Sequence, residues 1–283
     1  MFKFANIVNL RELHKYYFCF FVVDMKLRFL GVFIILLGIS FNIFSQDDKY
    51  QDSSYFAPLI KISYAAQLPE GDLKDRFGFN SNIGLHFNIK TKKYWTFGLK
   101  GTFIWGNKLV EDSILSNLTI TTDEKFNYVN IIDENGELAR VFFDERGFTT
   151  MFTFGRMFNV LAPNKNSGFI LNGGVGFLQH KIKFQYKDSN LPNIEGDYAK
   201  GYDRLSNGLA FEGFFGYVFL SKSRLVNFYG GFEYNYALTY NRRGYNFDTQ
   251  QYDTKQRTDI LYGFRVGWIL PLYKSKTQEY YYY

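Results

Sequence analysis

Cysteine is nearly missing: the 283 residues include one, Cys19, alongside three histidines. A single cysteine excludes a disulfide scaffold and any cysteine-built zinc or iron–sulfur site. Long apolar runs are scarce too. The mean hydropathy of −0.22 is too polar for a bundle of membrane helices. No Gly-x-Ser-x-Gly elbow and no His-Glu-x-x-His stretch occurs. Gly173-Gly174-Val175-Gly176 is no phosphate loop; it sits inside a strand pattern, where glycine relieves crowding or permits bending. What the chain has in quantity is aromatic: 33 Phe, 23 Tyr and 3 Trp make 21% of it. That load excludes a disordered or low-complexity chain.

The most apolar stretch runs from Phe29 to Phe44. It is short against the roughly 20 residues of a spanning helix. Met25-Lys26-Leu27-Arg28 precedes it, and Ser45 and then Gln46-Asp47-Asp48 follow. A charged start, an apolar middle and a small residue at the cut read as a secretory signal peptide over 25–45. Met25 is then the expected initiator and 1–24 an over-extended start; an uncleaved anchor helix is the alternative. No cysteine follows the run, so no lipid anchor is expected. Without residues 1–45 the chain keeps 28 Lys+Arg against 25 Asp+Glu, a net charge of +3. Most of the surplus of positive charge therefore belongs to targeting, and no basic run of nucleic-acid type remains.

From residue 46 onward, period-2 alternation recurs in segments of 9–15 residues. Ile83, Leu85, Phe87 and Ile89 alternate with Gly84, His86, Asn88 and Lys90. Phe228, Gly230, Phe232, Tyr234, Tyr236 and Leu238 alternate with Gly231, Glu233, Asn235 and Thr239. The same holds around 95–105, 209–219 and 260–272. One face is aromatic or branched; the other is small, polar or singly charged. Lipid suits the first face and a narrow side-chain-filled lumen the second. Strands of about ten residues cross a bilayer when tilted, and must close into a barrel to pair their backbone.

Eight strands are expected, over 57–66, 80–90, 94–107, 149–161, 168–184, 206–220, 226–240 and 258–273. Long connections (67–79, 108–148, 185–205, 241–257) alternate with short ones. The fold class is thus all-β: an eight-stranded antiparallel up-and-down transmembrane β-barrel over 46–283, both termini periplasmic, and too narrow for an open channel. Phe126–Ile132 and Glu137–Phe143 flank Asp133-Glu134-Asn135-Gly136, a hairpin signal. It reads as a hairpin in the second outer loop; ten barrel strands are the alternative.

The alternation projects Lys61, His86, Lys100, Arg156, Glu212, Glu233 and Arg265 into the lumen. Mixed signs there fit a structural ion-pair network, because an enclosed charge is costly unless paired; a gated ion path or ligand cradle is the functional alternative. Placing Arg156 inside also places Phe152, Phe154 and Phe158 there, which leaves this strand ambiguous, with a bulge as the alternative. Only His86 and His180 remain after the signal, and neither stands in a motif. No catalytic, cofactor-binding or metal-binding residue is expected, and the chain reads as no enzyme.

The signal ending Phe44-Ser45-Gln46, the Tyr/Phe/Gly-rich strands and the last strand Asp259–Tyr273 resemble Bacteroidota outer-membrane barrels of the PorT-like and OmpA/OmpX-like kind. The resemblance covers about 50–283 and is architectural. It implies a non-enzymatic outer-membrane protein, with some relatives serving as accessories of a secretion machine. It also implies that Tyr273 or the terminal Tyr280–Tyr283 is read by the barrel assembly machinery. The expected partners are outer-membrane lipid, that machinery, and proteins met through the outer loops or the Tyr-rich tail 274–283, with no nucleic acid. An accessory subunit of an export or assembly complex is the leading expectation; a small pore and a lipid-modifying enzyme are the alternatives.

Overall fold

A computed structural model describes residues 54–272 except 112, 124–127, 188–189 and 222–225. The expected start at Met25, the signal peptide over 25–45, Tyr273 and the tail 274–283 lie outside the described residues.

Twelve strands form among the described residues: β1 (Ala57–Gly71), β2 (Asn80–Lys90), β3 (Trp95–Gly106), β4 (Thr119–Asp123), β5 (Tyr128–Ile132), β6 (Leu138–Phe158), β7 (Gly168–Gln185), β8 (Ser206–Leu220), β9 (Asn227–Asn241), β10 (Tyr245–Asn246), β11 (Gln251–Tyr252) and β12 (Gln256–Pro271). Eight of them, β1, β2, β3, β6, β7, β8, β9 and β12, pair antiparallel in that order. β12 pairs back onto β1, from Leu59↔Pro271 to Gly71↔Asp259, which closes the barrel. Closure leaves none of these eight strands with an open edge, the condition for a sheet surrounded by hydrocarbon.

The two loop hairpins stand outside the closed ring. β10 pairs only with β11. β4 and β5 prolong the sheet beyond β6, with β5 on Leu138–Phe142 of β6. β3 begins to pair with β6 only at Glu145. The sequence reads a strand at 149–161 after a loop 108–148 with its own hairpin; the hairpin forms, but its second arm and the barrel strand are one 21-residue strand that begins at Leu138. Its first residues at the loop end are ordered by β5 on one side, and β7 joins on the other from Phe142↔Gln185.

Exposure alternates along the strands. On β9 every second residue from Asn227 to Thr239 is buried, while Phe228, Phe232 and Tyr234 are exposed. The outward residues of the barrel include Leu85, Phe87, Leu99, Phe103, Phe152, Phe154, Leu209, Phe211, Phe215 and Phe264. So large a contiguous apolar wall is foreign to a water-soluble monomer and suits a hydrocarbon surround. The interior is tight. Gly216 and Gly231 are cross-strand partners on β8 and β9. A Cβ on Gly231 would lie 2.3 Å from the Gly216 Cα, and one on Gly216 would lie 2.7 Å from the Phe214 ring. Only glycine fits where the two backbones and that ring meet.

Both mouths are filled. At the loop end, Leu73, Phe77, Ile114, Leu115, Leu191, Ile194 and Tyr202 are buried together with the barrel residues Ile104, Leu178 and Ala210. One chain of ion pairs joins the four long loops: Arg76 to Glu111 at 3.2 Å, Glu111 to Arg204 at 3.1 Å, and Arg204 to Asp248 at 2.7 Å. At the turn end, Ala57, Leu59, Met157, Ile170, Val218, Leu220 and Ile269 form an apolar plug. Lys90 closes it below, donating to Ser54 Oγ, the Tyr55 carbonyl and Asn166 Oδ1 at 2.9–3.1 Å.

Candidate functional site in the lumen

The residues with chemistry converge between the two plugs. Alternation aims Lys100 (β3), Glu212 (β8), Glu233 (β9) and Arg265 (β12) at one level of the lumen. Glu233, fully enclosed, accepts from Lys100 Nζ at 2.5 Å, from Arg265 Nε at 2.5 Å and Nη2 at 2.8 Å, and from Gln67 Nε2 at 2.7 Å. Lys100 Nζ also donates to Glu212 Oε2 at 2.6 Å. The Arg265 guanidinium is completed by Ser63 Oγ at 2.7 Å and Asn82 Oδ1 at 3.0 Å. The fork of arginine matches the two oxygens of Glu233, the geometry in which a buried pair offsets most of its desolvation.

Lys61 and His86 stand just below. Ser63 Oγ and His86 Nε2 are 3.0 Å apart, and the Tyr229 hydroxyl is 3.5 Å from the same nitrogen. Lys61 Nζ lies 5.1 Å from the Tyr229 ring centre. Among the described residues it has no carboxylate partner and no hydrogen-bond acceptor. A cavity of about 20 Å³ lies beside Lys61, His86, Asn88, Glu212 and Tyr229, room for about one water.

Arg156 is placed elsewhere. It faces outward with Phe152, Phe154 and Phe158, and the strand has no bulge: the register runs unbroken from Trp95↔Arg156 to Gly106↔Glu145. The expectation that it shares the lumen is corrected on physical grounds. Turning Arg156 inward without a bulge would turn three phenylalanines into an eight-stranded interior with no space for them. Outside, its guanidinium lies 5.2 Å from the Trp95 ring and 5.9 Å from the Phe158 ring, its stem along apolar surface.

A second polar level lies under the loop plug. His180 Nε2 is 2.8 Å from Asp259 Oδ2, and Thr239 Oγ1 donates to that same oxygen at 2.5 Å. Phe77 covers the imidazole edge-on at 5.7 Å. A histidine, a carboxylate and a hydroxyl are the ingredients of nucleophilic catalysis, but the order is wrong: the hydroxyl bonds the carboxylate, not the histidine that would take its proton. All three are buried. Glu145 is on this level, accepting from Asn80 Nδ2 at 3.0 Å. Sequence reasoning passed over Asp259 and Glu145. Asp259 shares the parity of Arg265 and was readable; Glu145 lay in residues read as loop.

No protein-family model matches the sequence, and no curated protein matches it. Among solved structures, Ail, the attachment invasion locus protein of Yersinia pestis, is 14% identical with a TM-score of 0.37, covering 76% of this chain and 99% of that one. OprG, an outer membrane protein of Pseudomonas aeruginosa, is 11% identical with a TM-score of 0.32, covering 79% and 99%. At these scores neither likeness assigns a ligand or role. Closed pairing, an aromatic outer wall and a salt-bridged interior define the class directly: an eight-stranded transmembrane β-barrel with a filled lumen.

Proposed function

We propose that this chain is a non-enzymatic protein of the bacterial outer membrane whose barrel is a closed anchor and whose long loops form an interaction surface. Both termini would lie in the periplasm. The observation that carries this reading is the cap. Three of the four loops share one buried apolar core, and the ion-pair chain ties in the fourth through Asp248, so they present a fixed surface rather than four loose strings. A folded surface on a sealed barrel suits recognition better than passage. The lumen network would then be structural, holding eight strands in register. An accessory subunit of an export or assembly complex fits this arrangement, and the PorT-like resemblance suggests that setting.

Conductance across planar bilayers tests the sealed anchor. The account expects silence from the intact protein; steady unitary openings would replace it with the pore reading. Gentle detergent extraction of the tagged protein, repeated with the β4–β5 hairpin shortened, tests the loop surface. A protein that co-purifies with the intact chain and is lost on shortening is the expected result. Equal recovery with both chains would remove the hairpin from that surface.

A further inference from the structure

The two ends of the barrel differ in charge. The three short turns (91–94, 159–167, 221–226) contain five Lys or Arg and no Asp or Glu, whereas the four long connections between barrel strands (72–79, 107–137, 186–205, 242–255) hold 15 carboxylates against 10 Lys or Arg. At the turn end one cation stands on the lipid-facing wall itself. Arg156 is exposed, and among the described residues its guanidinium meets only the rings of Trp95 and Phe158. Trp95 is stacked on Phe154 at 5.0 Å, an aromatic pair of the kind that marks a bilayer interface. Trp95 follows Lys92 and Lys93 in the turn between β2 and β3, and both lysines are exposed. The cross-strand pair Trp95↔Arg156 therefore puts Arg156 at the strand end that leads into the Lys92–Lys93 turn.

A guanidinium with free donors at the edge of hydrocarbon faces headgroups, and the headgroup atoms that match its fork are phosphate oxygens. The two rings account for the stem and face of Arg156, and no carboxylate among the described residues takes its N–H groups. We propose that Arg156 with the Lys92–Lys93 turn binds the headgroup phosphate of an anionic phospholipid in the leaflet at the turn end. The inference rests on the reading of the chain as a membrane barrel.

Native mass spectrometry of the barrel refolded in detergent tests it. Phosphatidylglycerol is titrated against phosphatidylcholine of the same chain length. The intact protein should retain phosphatidylglycerol at about a hundredfold lower lipid concentration. Arg156→Gln, and Lys92→Gln with Lys93→Gln, should each weaken that preference, by about fivefold per cation removed. Lys255→Gln, at the loop end, should leave it unchanged. Equal retention of the two lipids by the folded protein would overturn the proposal, as would a preference that survives Arg156→Gln. Displacement of the lipid by a polyglutamate peptide would also overturn it, in favour of an acidic protein segment. Heat-dependent migration on gels reports folding separately: a chain without it fails the barrel reading first.

Discussion

Glu233→Gln is the sharpest perturbation of the lumen. The substitution keeps shape and one carbonyl oxygen but removes the charge on which Lys100 and Arg265 converge at 2.5 Å each. In this part of the lumen Lys61, Lys100 and Arg265 face Glu212 and Glu233; afterwards three cations face one carboxylate. Glu212 bonds Lys100 but not Arg265 among the described contacts. Arg265, 1% exposed, is left with Ser63, Asn82 and a neutral amide. Stranding a buried charge costs about 3–5 kcal/mol, a large part of the roughly 5–15 kcal/mol that holds a folded domain. The assay is equilibrium unfolding by guanidinium in detergent micelles, followed by tryptophan fluorescence. Adding Arg265→Met should recover part of the loss, because the stranded cation goes with it, giving a coupling of about 1–3 kcal/mol. A single-variant cost under about 1 kcal/mol, or additive losses in the double variant, would refute the view that these groups act as one unit.

Lys61→Met should leave stability unchanged or raise it by about 1 kcal/mol, since a buried ammonium supported by one ring is exchanged for an apolar chain of similar length; a clear loss in the same unfolding assay would mean that Lys61 has a charged partner. In the fourth loop, burial pushes the Asp253 carboxyl up, but bonds from Arg257 and Asn241 outweigh it and hold the group down to about 2. A depressed carboxylate adds stability above its unfolded value near 3.8, and that contribution is lost as pH falls through about 2. Side-chain carbon NMR of Asp253 in micelles should therefore titrate near 2 and stay flat from pH 4 to 7, whereas a midpoint near 4 would show that the loop contacts are not kept in solution.

The barrel was legible in the sequence because lipid and lumen ask for opposite residues on a period of two. That contrast is strongest on β9 and β12, where aromatic side chains alternate with Gly231, Glu233, Gly263 and Arg265. It misled on β6, where one charge, Arg156, was given more weight than three phenylalanines. A long cation at an interface can stand on the lipid face, and alternation alone does not separate that case from a lumen charge. The upper part of β6 was legible as a hairpin arm, Glu137–Phe143, but its continuity with the barrel strand was not: that continuity comes from β5 and β7, partners supplied by tertiary structure. The cap was invisible for the same cause. Arg76, Glu111, Arg204 and Asp248 come from four loops whose sequences carry no shared pattern, and only the closed ring brings them together.

The central claim is that the aromatic face of each strand meets hydrocarbon while the opposite face meets protein. Cys19 is the single cysteine of the sequence, so with Cys19→Ser in place single cysteines from position 228 to 238 on β9 can carry nitroxide labels in lipid vesicles. The account predicts that collisions with dissolved oxygen rise at 228, 230, 232, 234, 236 and 238 and fall at the positions between them, with water-soluble nickel excluded throughout. Oxygen access without a period of two, or strongest at 229, 231 and 233, would contradict it.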